Sequence, residues 1–382
     1  MTRDPRAAAE SADLVRRFNR FPTLAAFRAS ADWVGLEPRL ERVLGTVRLH
    51  EPPLPPGPPH DPKIVHAVHW NIEHGNWYEQ VEDALLHHPD LRDADLLTFN
   101  EIDLGSARAA NRDVTADLAR ALKRHGVWAP MFLESTAGRD DDPEMAAGRA
   151  NEEGLFGIAV LSRWPLGDVH LVKLPGPEAI QFDLERMFGR FVALVAEIRR
   201  PGAPFVAVCT HLEVHRTRAH RAEQVRVLVH ALRHEKRPIV LAGDFNSHTF
   251  DRGLWHSSLT GSSALMAWPG PALRRRLLRP DRGRFREPLF EVLREAGFEW
   301  ERYVDFAPTL QLRLDRIDEG RRWLALLGPM TSRLLGWAER RGRLRLDWFA
   351  GRGWKGGRGR TVVGLDGPGL ASDHAPITAE FE

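Results

Sequence analysis

Two spacings of apolar residues divide the chain. Before residue 51, "ADLVRRFNRF", "TLAAFRASADWVG" and "RLERVLGTV" place apolar side chains every three or four positions, the period of one helix face. After residue 62 the rhythm changes. "KIVHAVHWN", "ADLLTFNE", "GLFGIAVLS", "RFVALVAEI", "PFVAVCTHL" and "PIVLAGDFN" are short runs of Val, Ile, Leu and Phe bounded by Gly, Pro or polar clusters. Such runs predict strands buried on both faces. Helical periods alternate with them in "NWYEQVEDALLHH", "DVTADLARALKRHG", "RAHRAEQVRVLVHALRH" and "EPLFEVLREAG". A mixed α/β fold without internal repeats is expected. Between the two regimes, "EPPLPPGPPHDP" reads as a linker, because proline lacks an N–H and fixes an extended backbone. The predicted organisation is a helical N-terminal appendage at 1–50, a Pro-rich linker at 51–62 and one large domain at 63–382.

The polar residues fall at the ends of the apolar runs. Asn71 ends the first, Asn100 and Glu101 the second, His211 the run "FVAVCTH", and Asp244 and Asn246 the run "IVLAGDFN"; Asp373 and His374 precede the last, "APITAEF". Five strand ends with polar groups predict convergence on one edge. Residues i and i+2 of a strand share a face, so Asp244 and Asn246 project together while Phe245 turns to the packing side. Gly243 leaves room for close approach there. A single Asn or Asp at a strand end is ordinarily turn chemistry. Likewise, His66 and His69 read as surface or satisfied core groups rather than ligands, and Asp113 reads as a helix N-cap. It is the ordered set that turn chemistry alone does not explain.

Composition narrows the class. The single Cys209 excludes an intramolecular disulfide and sits in an apolar run, as a small buried residue would. Lys and Arg number 54 against 52 Asp and Glu, so the overall charge names no partner. The N-terminus carries charges throughout, and no stretch of about 18 uncharged apolar residues follows, so a soluble cytoplasmic protein is expected. The nearest approach to a membrane segment, "WLALLGPMTSRLLGW" at 323–337, contains Arg333 and reads as an amphipathic helix.

The motifs N, NE, THL, GDFN and SDH, in that order, resemble those of the endonuclease/exonuclease/phosphatase superfamily. That superfamily includes pancreatic-type deoxyribonucleases, abasic-site endonucleases, neutral sphingomyelinases and inositol-polyphosphate phosphatases. The resemblance runs from Lys63 onward and leaves the N-terminal helices unexplained. It implies a DNase I-like fold: a four-layer sandwich of two packed mixed β-sheets flanked by helices, with the site at one end of the sheets.

Phosphate-ester hydrolysis needs a hard cation, an aligned water and a way to stabilise the leaving oxygen. Mg²⁺, with Mn²⁺ as a substitute, prefers oxygen ligands and needs few carboxylates. Glu101 is the best candidate ligand, and the resemblance implies that Asn71 and Asp373 complete the shell. Asp244 is the preferred general base or water-aligning group, with Asn246 donating to a phosphate oxygen. His374 would bind a nonbridging oxygen as imidazolium. By resemblance, Asp347 in "LRLDWFAG" would hold and charge it, and His211 would be a further phosphate contact. Two departures from the family pattern stand out. Gly157 or Ile158 occupies a place where many relatives have Asn, and Arg186 or Arg190 stands where relatives put Tyr or Arg near the phosphate. Asn111 is a further candidate for the mouth.

Substrate choice is expected to lie around this centre. Between residues 270 and 360 there are 22 Lys and Arg against 12 Asp and Glu, densest in "RRRLLRPDRGRFR" and "ERRGRLRL". This basic insertion near 260–345 is either a solvated face or a contact for an anionic partner. Nucleic acid is favoured over an anionic lipid surface, and nothing calls for an obligate protein partner. A metal-dependent phosphodiesterase of nuclease type is therefore expected. Sphingomyelinase-like or phosphoinositide-directed hydrolysis is the alternative, and a catalytically inactive binding module is a more distant one.

Overall fold

A computed structural model of the chain describes residues 5–54, 56–59, 61, 63–139, 141–180, 182, 186–252, 267–313, 336–367 and 369–382. Its first strands are β1 (Arg48–His50), β2 (Val65–His74), β3 (Leu96–Leu104), β4 (His125–Glu134) and β5 (Leu155–Ser162). They are followed by β6 (Leu166–Lys173), β7 (Ala179–Ile180), β8 (Met187–Gly189), β9 (Val192–Ile198), β10 (Phe205–His211) and β11 (Ile239–Asp244). The last are β12 (Leu310–Gln311), β13 (Arg343–Leu344), β14 (Asp347–Arg352), β15 (Gly357–Thr361) and β16 (Ile377–Phe381).

The strands form two large sheets. The first has the order β15-β16-β2-β3-β5-β4-β8-β7, with β1 beside β4; the second has the order β14-β11-β10-β9-β6. Both are mixed. β2 runs parallel to β3 and β10 parallel to β11, while their outer neighbours β16, β5, β9 and β14 run antiparallel. Each parallel pair needs a crossover, and helices Tyr78–His87 and Arg218–Ala231 supply the two.

Strand alternation separates two cores. Val65, Ala67, Leu96 and Val127 face Val208, Leu241 and Phe349 of the second sheet. Val68, Trp70, Leu97 and Phe99 face outward onto Val81 and Leu85, Val114 and Leu118, and Phe18, Phe27 and Leu40 of the N-terminal helices. Helices Arg218–Ala231 and Leu289–Glu295 cover the other outer face through Leu228, Leu289 and Leu293. The result is the four-layer sandwich expected. Strands buried on both faces, such as β5 with every residue buried, are its direct consequence.

The helical appendage shares the core of the outer face of the first sheet. Phe27 is fully buried against Phe18, Trp33 and Phe182, with ring centroids 4.7, 5.0 and 6.0 Å away. Arg163 fastens the linker by donating to the carbonyls of Gly57 and Pro58 at 2.7 and 3.0 Å. Among the described residues, no helix is long and apolar enough to cross a membrane. The stretch 323–337, except for its last two residues, lies outside the described residues.

Candidate active site

The C-terminal ends of both parallel pairs meet at one edge of the sandwich. On β2, the register shifts between Asn71 and His74; on β3 it shifts between Phe99 and Ile102. Bulges of this kind re-aim side chains. The chain passes through left-handed backbone at Glu73, His74 and Glu101, with φ of 45°, 66° and 50°. Asn100 pins the sheets together there, because its Oδ1 accepts the Asp244 N–H at 2.7 Å. Gly243 is required beside it: a Cβ would sit 2.0 Å from the carbonyl oxygen of Thr210.

The convergence predicted from the strand ends is present. Asn71 Nδ2 donates to Glu101 Oε1 at 3.0 Å and lies 3.4 Å from Asp244 Oδ2. His211 Nε2 is 3.9 Å from Glu101 and 3.7 Å from Asp244. Asp347 faces Asp244 across the β11–β14 pair. Its Oδ2 accepts from His374 Nδ1 at 2.7 Å, while His374 Nε2 lies 3.9 Å from Asp244 Oδ2. Asp373 adjoins His374 at the same edge, its Oδ1 3.3 Å from the Ser372 hydroxyl oxygen. Ligand atoms of Asp244, Asp347 and His374 all fall within 4.8 Å of one another.

Backbone contacts hold these side chains in place. Trp70 Nε1 donates to the His374 carbonyl at 2.8 Å, and Ser372 Oγ donates to the Asn71 carbonyl at 2.7 Å. Thr309 links the two halves of the Asp347–His374 pair. Its Oγ1 accepts from the N–H groups of Leu346 and Asp347 at 3.0 and 3.3 Å, and its carbonyl accepts the Ala375 N–H at 2.8 Å.

The charges of the site are strongly biased. Burial works against ionising Asp347, but His374 and His69 outweigh it and hold the carboxyl far below the usual range. Burial likewise opposes charge on His374, yet Asp347 and Asp373 lift it well above the ordinary imidazole value. Burial and the neighbouring Asp347 push the Asp244 carboxyl up. Burial also raises Asp373. Glu101 is held low despite its burial, chiefly by His74 and His211.

Three sequence-predicted residues go elsewhere. Arg186 Nε donates to the carbonyl of Phe21 at 3.0 Å, and Arg190 pairs with Glu41 at 2.6 Å. Both arginines therefore fasten the N-terminal region to the first sheet. Asn111 ties a loop together, donating to the Ala150 carbonyl at 3.0 Å and accepting the Glu152 N–H at 3.1 Å. Two others sit at the site with altered contacts. The nitrogen of the Asn71 amide, not its oxygen, faces Glu101, and the oxygen accepts the Glu73 N–H at 3.2 Å. Asn246 spends its Nδ2 on the Leu212 carbonyl at 2.8 Å. Asp113 caps its helix, accepting the Ala116 N–H at 3.0 Å.

His74 and Asp103 were not among the expected site residues. His74 stands between Glu101 and Asp103, with nitrogens 3.5 and 3.4 Å from their oxygens. Burial and Arg108 press its pKa down, but Asp103 and Glu101 lift it to about 9. Arg108, itself buried, clamps Asp103 at 2.7 Å, Glu134 at 2.8 Å and Asp142 at 3.1 Å. The bulge that brings His74 inward leaves no mark in the periodicity. Ile158 is fully buried, and a side chain at Gly157 would meet the Ala129 carbonyl at 2.2 Å. Phe156 instead walls this side, 5.2 Å from the His74 ring and 6.3 Å from that of His211.

The Endonuclease/Exonuclease/phosphatase family is matched over residues 68–374. The chain belongs to that family. Its members are hydrolases of phosphate esters. Among solved structures, the chain is similar to the endonuclease/exonuclease/phosphatase from Beutenbergia cavernae, with 17% identity, 84% of this chain and 71% of that one covered, and a TM-score of 0.46. It is also similar to the human Nocturnin catalytic domain with bound sulfate, at 16% identity, 85% and 96% coverage and a TM-score of 0.45. A 3′ phosphatase from Neisseria bound to product DNA hairpin shares 18% identity, with 83% and 99% coverage and a TM-score of 0.46. No curated protein matches the chain.

Among the described residues of the basic stretch, Arg276, Arg279 and Arg345 turn inward. Arg276 stacks on Phe250 and Phe285, 4.0 and 4.2 Å from their centroids, and donates to Thr249. Arg279 covers Phe306 at 3.7 Å, and the fully buried Arg345 pairs with Asp305 at 2.9 Å. Arg274, Arg275, Arg282 and Arg284 remain exposed. Residues 260–266 and 314–335 of this insertion lie outside the described residues.

Proposed function

We propose that the chain is a divalent-metal-dependent phosphodiesterase acting on nucleic acid. The observation that carries this reading is the meeting of Glu101, Asp244 and the Asp347–His374 pair, drawn from both sheets, at one edge. His374, held protonated by Asp347, donates from Nε2 to a phosphoryl oxygen and stabilises the charge that builds there. Asp244, made more basic by burial and by Asp347, orients and deprotonates the attacking water. His211 supplies a second donor on the opposite side of Asp244.

The donor set fits a hard cation. Several carboxylates crowd one edge: burial first, and then Asp347 beside Asp244 and Glu101 and Asp347 beside Asp373, push these two carboxyls up. Glu101 and Asp373 would hold Mg²⁺ or Mn²⁺, and Asn71 would orient Glu101 through its amide nitrogen. When bound, the ion neutralises charge on the phosphoryl oxygens.

Exposed arginines at 274, 275, 282 and 284 support a polyanionic substrate. The test is a panel of single- and double-stranded DNA and RNA, anionic phospholipid vesicles and inositol phosphates, each with Mg²⁺, Mn²⁺ or chelator. Nucleic acid cleavage that chelator abolishes is expected. Cleavage confined to vesicle headgroups would overturn the substrate, and full activity in chelator would overturn the metal. Glu101→Gln should weaken Mn²⁺ binding by calorimetry at least tenfold, in the range seen when groups around a metal are altered.

A further inference from the structure

His69 is fully buried between the sheets, and the roles assigned above leave it unused. It shares a strand face with Asn71, two residues on, and so points into the site edge. Its Nδ1 lies 2.9 Å from Thr98 Oγ1, and its Nε2 lies 3.4 Å from Asp347 Oδ1. Among the described residues, neither His69 Nε2 nor Asp347 Oδ1 has a well-formed hydrogen bond, although both are buried, and each is the other's near neighbour. Asp347 therefore stands between two imidazoles, His374 on Oδ2 and His69 on Oδ1.

The tautomer follows from the charges. A proton on Nδ1 alone would aim the Nε2 lone pair at an anionic oxygen. A proton on Nε2 satisfies Asp347 Oδ1 and leaves Nδ1 to accept the Thr98 hydroxyl, whose other contact is a long 3.4 Å approach to the Val68 carbonyl. All members of the chain Thr98–His69–Asp347–His374 are then paired.

We infer that His69 is a positioning residue: it donates from Nε2 to Asp347, fixing the carboxylate so that its second oxygen stays on His374 Nδ1. This rests on the reading of the Asp347–His374 pair as part of the phosphoester machinery. A group that acts through Asp347 and His374 rather than on the substrate sets kcat more than substrate binding, because its effect is felt when charge builds on the phosphoryl oxygens.

Two variants separate this role from simple packing. The amide nitrogen of Gln falls near the position of Nε2, so His69→Gln keeps a donor to Asp347. His69→Asn falls near Nδ1 and keeps only the contact to Thr98. On the best phosphodiester of the panel, His69→Asn should lower kcat by about 10- to 100-fold with KM little changed, while His69→Gln recovers most of that loss. The low-field proton resonance of His374 Nδ1–H, assigned by its disappearance in His374→Asn, should move in His69→Asn and stay in His69→Gln. Thr98→Val, a milder change, should shift it in the same direction and serves if the His69 variants fail to fold. Equal kcat losses in the Gln and Asn variants, an unmoved resonance, or a change confined to KM would overturn the inference. A wild type inactive on the whole panel would instead defeat the proposed function, and the resonance would still decide the role of His69.

Discussion

Replacing Asp347 by Asn keeps the shape of the site and removes one charge. The pair it breaks is buried on both sides, with Asp347 1% and His374 5% exposed, and the contact is 2.7 Å. At an effective dielectric of 20, unit charges about 4 Å apart attract by about 4 kcal/mol. A charge-assisted hydrogen bond measured by mutation is worth about 1.5–3 kcal/mol. Without that attraction His374 loses the partner that lifts its basicity, so its imidazolium is less firmly held. The expected fall in kcat is on the order of 10²- to 10³-fold. Steady-state rates of Asp347→Asn, His374→Asn and the double variant measure it. Because both residues act as one unit, the double variant should be little worse than His374→Asn alone. Unfolding by calorimetry controls for stability; His374 can shed its proton, so the melting temperature should move less than removal of a partner from a permanently charged pair would require. Losses that multiply in the double variant, or an Asp347→Asn enzyme within fivefold of wild type, would refute the reasoning.

Gly157→Ala should destabilise the fold by more than about 1–3 kcal/mol in urea titration, since its Cβ would lie 2.2 Å from the Ala129 carbonyl and 2.9 Å from the Trp128 ring; an unchanged midpoint would contradict the close β4–β5 approach. Phe27→Ala should cost about 3–5 kcal/mol and lower a single cooperative transition, because the N-terminal helices share a core with the first sheet; a separate early transition would show that they unfold alone. His248 Nδ1 accepts the Phe250 N–H at 3.1 Å, and burial, Arg221 and Arg252 hold the ring far below its ordinary pKa. Its contribution is therefore full above about pH 6.5 and is lost as pH falls, by at most about 1.4 kcal/mol per pH unit. His248→Asn should flatten the melting profile below pH 6.5, and an unaltered profile would rule the residue out.

The fold and the polar edge were legible because both are local signals. An apolar run that ends in Asp-Phe-Asn records strand, burial and direction within ten residues, and β11 ends at Asp244 as that pattern implies. What sequence could not convey was partnership. Arg186 and Arg190 look the same in a sequence whether they meet a phosphate or the N-terminal helices, and here Phe21 and Glu41 take them. The arginines at 276, 279 and 345 likewise read as surface charge, although aromatic rings and Asp305 hold them. From sequence His69 reads as a surface or satisfied core group. It is core, and the residue that gives it meaning lies 278 positions further along the chain.

The site also holds left-handed backbone at non-glycine residues. Glu73, His74, Glu101 and Asn246 adopt φ of 45°, 66°, 50° and 48°, a region that costs a non-glycine residue about 1 kcal/mol or more. The side chains that form the site are the ones holding this backbone. Asn71 Oδ1 accepts the Glu73 N–H, and Asp244 Oδ1 accepts the Asn246 N–H at 2.8 Å. Strain and charge repulsion therefore accumulate at the same edge, against the wide apolar interface between the sheets that keeps them together. In the proposed function a phosphate ester and its cation would relieve the repulsion but not the strain. It follows that Asn71 and Asp244 shape the backbone whether or not a substrate is bound, and that replacing either removes a backbone anchor together with the group proposed to react or orient.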